Sequence, residues 1–357
     1  MARIGMGLGV GLYALALICC PQAGAEAART GLALCGQVIL PALFPYFVLS
    51  NLAIGLGLGQ WLGRRLGGLM PRLFHVGGAG GAALALGLLG GYPVGAGAVR
   101  ELLERGQCSR EEAQRLLLFC NNAGPAFILS VAGVSVFGRM EIGFLLLTVH
   151  ALSALGVGLL LRGPEGAVGG EQISSAPRPA PGALLPQAVG KALSSSLQVC
   201  AYVVLFNVLI GLLRALTEDW LSLPVGLEPL LAGLLELSNG VCALPAVSSP
   251  TLRLALCGFL LGWGGLSVHS QTAALLEGSG LRLGPYLRAK ALQGLLSAGL
   301  LALAAPLCRG MLPVSQTVGR LTLVQLFPQS LAFGAALWIA ILVLLTNRGG
   351  KSPARQV

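Results

Sequence analysis

Two apolar segments of this chain are interrupted by residues that do not suit a lipid-facing helix. The first interruption is GGYPVGA at residues 90–96, and the second is NNAGP at residues 121–125. Opened backbone at membrane depth is tolerated only where protein or a water-filled cavity satisfies its polar groups. In transporters, such breaks commonly hold the solute. They therefore indicate noncovalent binding of a small polar molecule during transport.

A second pair of polar interruptions lies in the other half of the chain. The sequence ELSNG at residues 236–240 predicts a hairpin turn, and GWGGLSVHSQ at residues 262–271 predicts a break in the next helix. An acid within a membrane segment costs roughly 2.5–3.5 kcal/mol on insertion scales, which makes Glu236 a functional candidate. We predict that Glu236 serves ion or proton coupling, the alternative being an acid at a turn that water reaches.

The four interruptions are expected to meet near the middle of the membrane. Half-helix N-termini present unpaired N–H groups and partial positive charge there, which favours an anionic or strongly polar solute. For each polar side chain taken alone, hydrogen bonding between helices is the alternative role. The predicted solute-binding residues are Gly91, Tyr92, Pro93, Asn121, Asn122, Gly124, Ser238, Asn239, Ser267 and His269.

The overall composition indicates a membrane protein rather than a soluble enzyme. Of the 357 residues, 55% are hydrophobic and 10% are charged, and the mean hydropathy is +0.81. The net charge of +10 is spread between apolar runs, so it predicts membrane orientation and not nucleic-acid binding. The cysteines and histidines lack metal-ligand spacing, and no phosphate loop, HExxH or GxSxG motif occurs. We expect no metal, no cofactor and no enzymatic activity.

These features predict an all-α polytopic membrane protein with about eight transmembrane helices of roughly 20 residues each. Two further apolar stretches, 77–106 and 227–249, carry a turn in the middle and are expected to be re-entrant hairpins. The spans are expected at 4–20, 32–57, 113–138, 142–161, 192–213, 251–276, 286–307 and 322–346.

The predicted elements form an inverted repeat. The order span, hairpin, broken span, span occurs twice, and an odd number of crossings places the second copy upside down. For the N-terminal segment, a cleavable signal ending near Ala23-Gly24-Ala25 is the alternative to a retained helix. The predicted organisation is an N-terminal transmembrane helix at 1–28, a first repeat at 29–161, a flexible cytoplasmic linker at 162–190, a second, inverted repeat at 191–308, and a C-terminal transmembrane helix with a basic tail at 309–357.

The arginines and lysines predict the orientation of this layout. With both termini in the cytoplasm, most of these residues, Lys290 among them, fall on the cytoplasmic side, and only a few, such as Arg253, fall outside.

The sequence also predicts where one cytoplasmic helix begins. Ser109 followed by Glu112 at the third position after it predicts a capping box, from which a helix should run into Asn121.

Several ordered motifs in the first half resemble those of a known family. They are LFPYF at 43–47, the GGYPVGA run, the helix start at 109–115, and LFCNNAGPAFIL at 118–129. Together they resemble the YlbJ-type sporulation integral membrane proteins, which belong to the nucleoside-recognition or Gate domain group. The resemblance is dense between residues 30 and 138 and looser beyond 186, where no second NNxGP occurs.

The resemblance implies a protein of the outer forespore membrane, required late in sporulation and linked to movement of dipicolinate, a small dianion. It also implies a Gate-like layout similar to concentrative nucleoside transporters, so a nucleoside or other polar metabolite is the alternative solute. The expected partners are the lipid bilayer and the solute, with sporulation membrane proteins and a second copy of the chain left open. The sequence is also compatible with a non-transporting scaffold of a sporulation complex and with a membrane-embedded enzyme that uses Glu236 with His269.

Overall fold

The structure, a computed structural model, describes residues 2–164, 181–217 and 227–308. The chain divides into two units, Met1–Ser315 and Gln316–Val357, and all described residues belong to the first. These residues form helices joined by short connections. Within them, five helices are long and apolar enough to cross a membrane: Pro21–Gly55, Met140–Leu160, Gly182–Leu216, Pro250–Leu276 and Leu283–Leu307.

The helices follow one another in an order that is similar in the two halves. In each half a long helix is followed by short helices, then by an interrupted helix and a final long helix. Among the described residues, the first half has four short α-helices at this place and the second half has two. The elements are α1 (Ala2–Cys19), α2 (Pro21–Leu34), a π-helical segment (Cys35–Ile39), α3 (Leu40–Gly55), α4 (Leu58–Gly67), α5 (Met70–Phe74), α6 (Gly80–Gly90), α7 (Val94–Glu104), α8 (Arg110–Cys120), a second π-helical segment (Phe127–Val136), α9 (Met140–Leu160), α10 (Pro181–Thr217), α11 (Leu227–Leu235), α12 (Leu237–Ala243), α13 (Pro250–Trp263), α14 (Gly265–Leu276) and α15 (Leu283–Ala304).

The two interruptions predicted in the first half are confirmed. Helices α6 and α7 are separated at residues 91–93. Helix α8 is followed by a non-helical stretch at residues 121–124, after which the chain is helical again from Pro125 into the second π-helical segment. Hydrophobic membrane helices thus stop where the sequence places glycine, proline and asparagine. The inverted relation between the halves and the number of eight spans stay predictions.

Helices extend beyond two of the predicted boundaries. The expected loop between the spans at 4–20 and 32–57 is helical, since α2 begins at Pro21 immediately after α1. Proline suits the first position of a helix, and the alanines that follow have high helix propensity. Residues 181–190, predicted as the end of the linker, likewise form the first turns of α10. The rest of the linker at 165–180 and the C-terminal span and tail at 309–357 lie outside the described residues.

The interruptions of the second half are shorter than predicted. Only Glu236 separates α11 from α12, and only Gly264 separates α13 from α14. A carboxylate oxygen of Glu236 accepts the backbone N–H of Asn239 at 2.8 Å, so a side-chain cap starts α12 at once. Gly264 has a φ of 89°, which lets the chain turn within one residue.

The outside of the protein is apolar, and its mainly hydrophobic interior contains a set of buried polar residues. Leucines such as Leu32, Leu152 and Leu303 are exposed on the helix surfaces. The buried residues include Asn121, Asn122, Glu236, Lys290, Gln293 and both His150 and His269. A soluble protein distributes these residue types the other way round. This arrangement fits a protein that is solvated by lipid and keeps its polar groups for an internal site.

Helices α13 and α15 approach each other through glycines. A Cβ atom on Gly262 would lie 2.6 Å from both Cα and N of Gly294, closer than any side chain permits. Small residues allow such backbone approach between membrane helices. The close approach fixes α15 against the end of α13, just before the interruption at Gly264.

The capping box at the start of α8 is confirmed. The Ser109 hydroxyl accepts the Glu112 N–H at 3.1 Å, and the Glu112 carboxylate accepts the Ser109 N–H at 2.8 Å. The other oxygen of Glu112 accepts the N–H of Gly77 at 2.7 Å, which ties α8 to the segment before α6.

Replacing Ser109 by alanine should lower the free energy of unfolding by about 1 kcal/mol, because one N–H at the helix start loses its partner. Thermal unfolding of the purified variant in detergent measures this. Ser195→Ala, at an exposed position of α10, is the matched control and should leave the melting temperature unchanged. Equal melting temperatures for the two variants would contradict the stabilising role of the box.

Candidate functional site

A cavity of about 70 Å³ lies where the interruptions of the helices converge. This volume suits a few water molecules, so a solute of metabolite size requires the surrounding elements to separate. Residues from both halves of the chain line it: Leu43, Phe47, Gly90, Gly91, Tyr92, Ala123, Gly124, Phe127, Val199, Tyr202, Glu236, Leu237, Ser238, Ser267, Val268 and Gln271.

The turn between α6 and α7 packs directly on the interruption after α8. Gly91 has a φ of 78°, and a Cβ atom there would lie 2.8 Å from Cα and N of Gly124. Only glycine accommodates both the backbone conformation and this approach. The two predicted interruptions of the first half are therefore in contact with each other at the cavity wall.

Tyr92 joins this turn to the interrupted helix of the second half. Its hydroxyl donates to the carbonyl oxygens of Leu261 at 3.2 Å and Gly262 at 3.4 Å. Its ring packs on Gly264, where a Cβ atom would lie 3.2 Å from Cζ of the tyrosine. Helix α13 ends at this place, so its last carbonyl groups are free to accept from a side chain. One tyrosine thus connects the two halves beside the cavity.

The side chain of Asn121 is fully engaged within the protein. Its Oδ1 accepts the N–H of Ala96 at 3.3 Å, and its Nδ2 donates to Thr272 Oγ1 at 3.1 Å and to the Tyr286 hydroxyl at 2.9 Å. These partners lie on α7, α14 and α15. In this conformation, Asn121 connects three helices and has no side-chain group left for a solute.

Asn122 is engaged in a similar way. Its Nδ2 donates to the Phe119 carbonyl at 2.7 Å, and its Oδ1 accepts from Gln293 Nε2 at 3.0 Å. The next backbone N–H, of Ala123, donates to His150 Nε2 at 3.1 Å. Side chains of α9 and α15 therefore satisfy the backbone and amides that the NNAGP run leaves open, as required at membrane depth.

In the second half, Glu236 and Asn239 have identifiable structural partners. Glu236 is buried and caps α12 through the Asn239 N–H, while the Asn239 amide donates to the Val203 carbonyl at 3.2 Å. Glu236 also lines the cavity, together with Ser238 on α12 and Ser267 on α14. These three residues bring a carboxyl group and two hydroxyls to one side of the cavity.

His269 lies behind this wall, and neither of its ring nitrogens has a hydrogen-bond partner among the described residues. It is 3% exposed and packs edge-to-face against Trp263, with ring centroids 4.3 Å apart, and against Tyr286 at 5.5 Å. Buried polar atoms usually find a partner, so two unsatisfied nitrogens on one ring are unusual. They mark a region where the protein has unused hydrogen-bonding capacity.

The most informative residue of the site is one that the sequence interpretation missed. Lys290, predicted to face the cytoplasm, is 0% exposed on α15. Its Nζ donates to the Asn121 carbonyl at 2.7 Å and to Gln293 Oε1, and it lies 5.1 Å from the centroid of the Tyr92 ring. Arg253, predicted to lie outside, is likewise buried, and its guanidinium donates to the Val247 carbonyl.

A signal for Lys290 was present in the sequence. Tyr286, Lys290, Gln293 and Ser297 follow one another at intervals of four, three and four residues, which places them on one face of α15. All four are buried. A cation on a polar face inside a predicted membrane span is expected to point into the protein. The positive-inside rule instead counts such a cation as a loop residue.

The predicted site residues thus fall into two groups. Gly91, Tyr92, Gly124, Ser238 and Ser267 line the cavity, as does the predicted coupling residue Glu236. The remaining five do not contribute to its lining: Pro93, Asn121, Asn122, Asn239 and His269. Solute binding by either group stays a prediction. Within residues 2–164, 181–217 and 227–308, no group of three His, Cys, Asp or Glu side chains is placed to hold a metal ion.

Comparison with known proteins gives one clear relative. No family model matches the chain. The sporulation integral membrane protein YlbJ of Bacillus subtilis (strain 168) is 33% identical over 312 residues, which cover 78% of this chain and 76% of that protein. The chain belongs to the YlbJ family. A solved structure, of a CNTnw variant in the intermediate 3 state, is similar over 86% of this chain and 85% of the CNTnw chain, with 14% sequence identity and a TM-score of 0.49.

Membership in the YlbJ family confirms the resemblance that the motifs of the first half indicated. Together with the apolar helices, it identifies this chain as a sporulation integral membrane protein. The family relation covers most of the chain and therefore includes both halves of the candidate site.

Proposed function

We propose that this YlbJ-family protein transports a small anionic solute across the membrane by alternating access. The observation that carries the proposal is the cavity between the two halves, where helix interruptions from each half meet. Polar backbone opened at membrane depth costs free energy unless it serves a cavity, and transporters bind solutes at such places. Separation of the two halves on alternate sides would expose the cavity first to one compartment and then to the other.

The chemistry around the cavity favours an anion. Helix α7 begins next to Tyr92, and α14 begins two residues before Ser267, so two helix N-termini lie close to the cavity. Such termini carry partial positive charge and unpaired N–H groups. The Ser267 hydroxyl adds a hydrogen-bond donor, as does the Ser238 hydroxyl once it is released from the Glu236 carboxyl group. Dipicolinate is the anion that the resemblance to YlbJ-type proteins suggests, with the outer forespore membrane as its location and both termini in the cytoplasm.

Competition between solutes tests the proposal. Purified full-length protein in proteoliposomes should take up labelled dipicolinate with saturation, and unlabelled dipicolinate but not uridine should compete. Competition by uridine alone would instead favour a nucleoside-like solute. Absence of flux for both, from protein that elutes as a folded species, would favour a non-transporting scaffold. In that case alanine substitutions at Ser238 and Ser267 should leave sporulation intact.

Glu236 is expected to couple transport to protons. A carboxylate beside a bound anion is unfavourable, and protonation removes the repulsion. Glu236→Gln keeps an oxygen that can accept the Asn239 N–H but removes the charge. We expect the variant to exchange dipicolinate while losing the stimulation of uptake by an imposed pH gradient. Glu104→Gln, at the surface, is the control. A full response to the gradient in the Glu236 variant would exclude this role.

A further inference from the structure

Lys290 is a buried lysine that contacts no carboxylate within the described ranges. Its contacts within the described ranges are a carbonyl oxygen, an amide oxygen and the Tyr92 ring, all of them neutral. An ammonium group inside a membrane protein is normally paired with a carboxylate or faces a water-filled path. Burial without such a partner costs several kcal/mol in general. This cost suggests that the partner is a molecule that arrives from outside the chain.

Tyr92 lies at the boundary between Lys290 and the cavity. The tyrosine lines the cavity and also contacts the ammonium through its ring. Its hydroxyl is held by two rather long hydrogen bonds, at 3.2 and 3.4 Å, to the end of α13. Movement of this one side chain would therefore bring the ammonium into direct reach of a solute in the cavity.

The surroundings of Lys290 contain unused polar capacity. In the part of the chain that the structure describes, neither ring nitrogen of His269 has a hydrogen-bond partner, and Nδ1 of His150 has none. Both rings lie near Asn121 and Gln293, the two residues that accept hydrogen bonds from Lys290. Tyr286 contacts His269 and accepts a hydrogen bond from Asn121, and the His150 carbonyl oxygen accepts one from Gln293 at 3.4 Å. Groups that could hydrogen-bond a carboxylate thus lie around the only lysine of the described ranges that is buried.

We propose that Lys290 is the residue that selects a carboxylate-bearing solute, and that it does so when Tyr92 moves from Gly264. This inference rests on the proposed function. One carboxylate of the solute would pair with Lys290, and the hydroxyls of Ser238 and Ser267 would hold the other end. A solute with two carboxylates separated by a small ring satisfies both positions, whereas a neutral analogue of the same shape leaves the ammonium unpaired.

The test compares pyridine-2,6-dicarboxylate with its neutral isostere pyridine-2,6-dicarboxamide. Equilibrium binding of both to the purified full-length protein should favour the dicarboxylate. In Lys290→Met this preference should fall by about tenfold to hundredfold, the range expected for a hydrogen bond to a charged group. Binding of the diamide should change little, which also reports that the variant is folded. Lys290→Arg should keep most of the preference, and Lys191→Met, at an exposed lysine of α10, should keep all of it.

Chemical labelling provides a readout that needs no variant of Lys290. The chain has three lysines, Lys191, Lys290 and Lys351, so an amine reagent followed by peptide mass spectrometry reports on each separately. We expect Lys290 to be labelled slowly in the wild type and faster in Tyr92→Ala. Dicarboxylate should protect it, while Lys191 serves as an internal reference.

Two outcomes separate this inference from the proposed function. If the wild type binds the dicarboxylate in preference to the diamide and Lys290→Met does the same, Lys290 does not select the solute, while anion transport still stands. If Lys290→Met fails to fold, the labelling experiment decides instead. Labelling of Lys290 at the same rate with and without dicarboxylate would also mean that Lys290 does not select the solute. If the wild type shows no preference for the dicarboxylate, both the inference and the anionic solute are wrong.

Discussion

Replacing Gly87 by alanine is expected to abolish folded, monodisperse protein. A Cβ atom on Gly87 would overlap the carbonyl oxygen of Cys120, the last residue of α8 before the NNAGP run, and would lie 3.2 Å from Cα of Gly95. The contact involves backbone of α6, α7 and α8, so rotation of a side chain cannot relieve it. Overpacking of this kind costs about 3 kcal/mol or more. Here it would force α6 and α7 away from the end of α8, where the candidate site begins.

Gly97→Ala is the matched control for this variant. Gly97 lies in α7, one helix further along, and a Cβ atom there meets no heavy atom within 4 Å. Alanine at this position should be neutral or stabilise the helix by about 0.5–1 kcal/mol. Size-exclusion profiles and thermal melts of the two variants, expressed side by side, measure the difference. Normal folding of Gly87→Ala would mean that α6 does not pack on the end of α8 as described.

Asn121→Ala is expected to have the second largest effect. It removes the side-chain partners of Ala96, Thr272 and Tyr286, which lie on three different helices. Buried groups that lose their partners cost roughly 1–3 kcal/mol each, so the free energy of unfolding should fall by about 3 kcal/mol or more. Asn51→Ala is the control. The amide of Asn51 donates only to the Phe47 carbonyl of its own helix at 2.8 Å.

The same variant separates two roles for Asn121. As a structural connector, it should lower the stability of the protein and the amount of active transporter, and the KM of the remaining uptake should stay within about twofold. As a direct solute ligand, which the sequence predicts, it should raise KM with little loss of stability. Parallel measurement of unfolding and of uptake kinetics in proteoliposomes distinguishes the two. A raised KM at unchanged melting temperature would contradict the connecting role.

The local breaks were predictable from the sequence because they follow from backbone chemistry. Glycine and proline at 90–96, and asparagine, glycine and proline at 121–125, are residue types that disfavour a continuous helix, and their clustering within a few positions indicates a break. The capping box at Ser109 and Glu112 is local in the same sense, since its hydrogen bonds join residues of one turn. Such features require no knowledge of the rest of the fold.

The partners of the polar residues were not predictable because they come from distant parts of the chain. Asn121 meets Thr272 and Tyr286, and Lys290 meets Asn121, across more than a hundred residues of sequence. The positive-inside rule placed Lys290 on the cytoplasmic side, since a cation near the start of a span usually belongs to the interface. Only tertiary packing reveals that it points inward. The extent of a break depends on packing as well, as the single-residue interruptions at Glu236 and Gly264 illustrate.

The central claim is that an anion passes through the cavity lined by both halves of the chain. Uptake of labelled dipicolinate into proteoliposomes tests it most directly, with the double variant Ser238→Ala/Ser267→Ala compared with Ser270→Ala, an exposed serine of the same helix as Ser267. We predict saturable uptake by the wild type and Ser270→Ala, and a KM raised about tenfold or more in the double variant, which loses two hydrogen bonds to the solute. Saturable uptake with an unchanged KM in the double variant, or no uptake by folded wild-type protein, would contradict the claim.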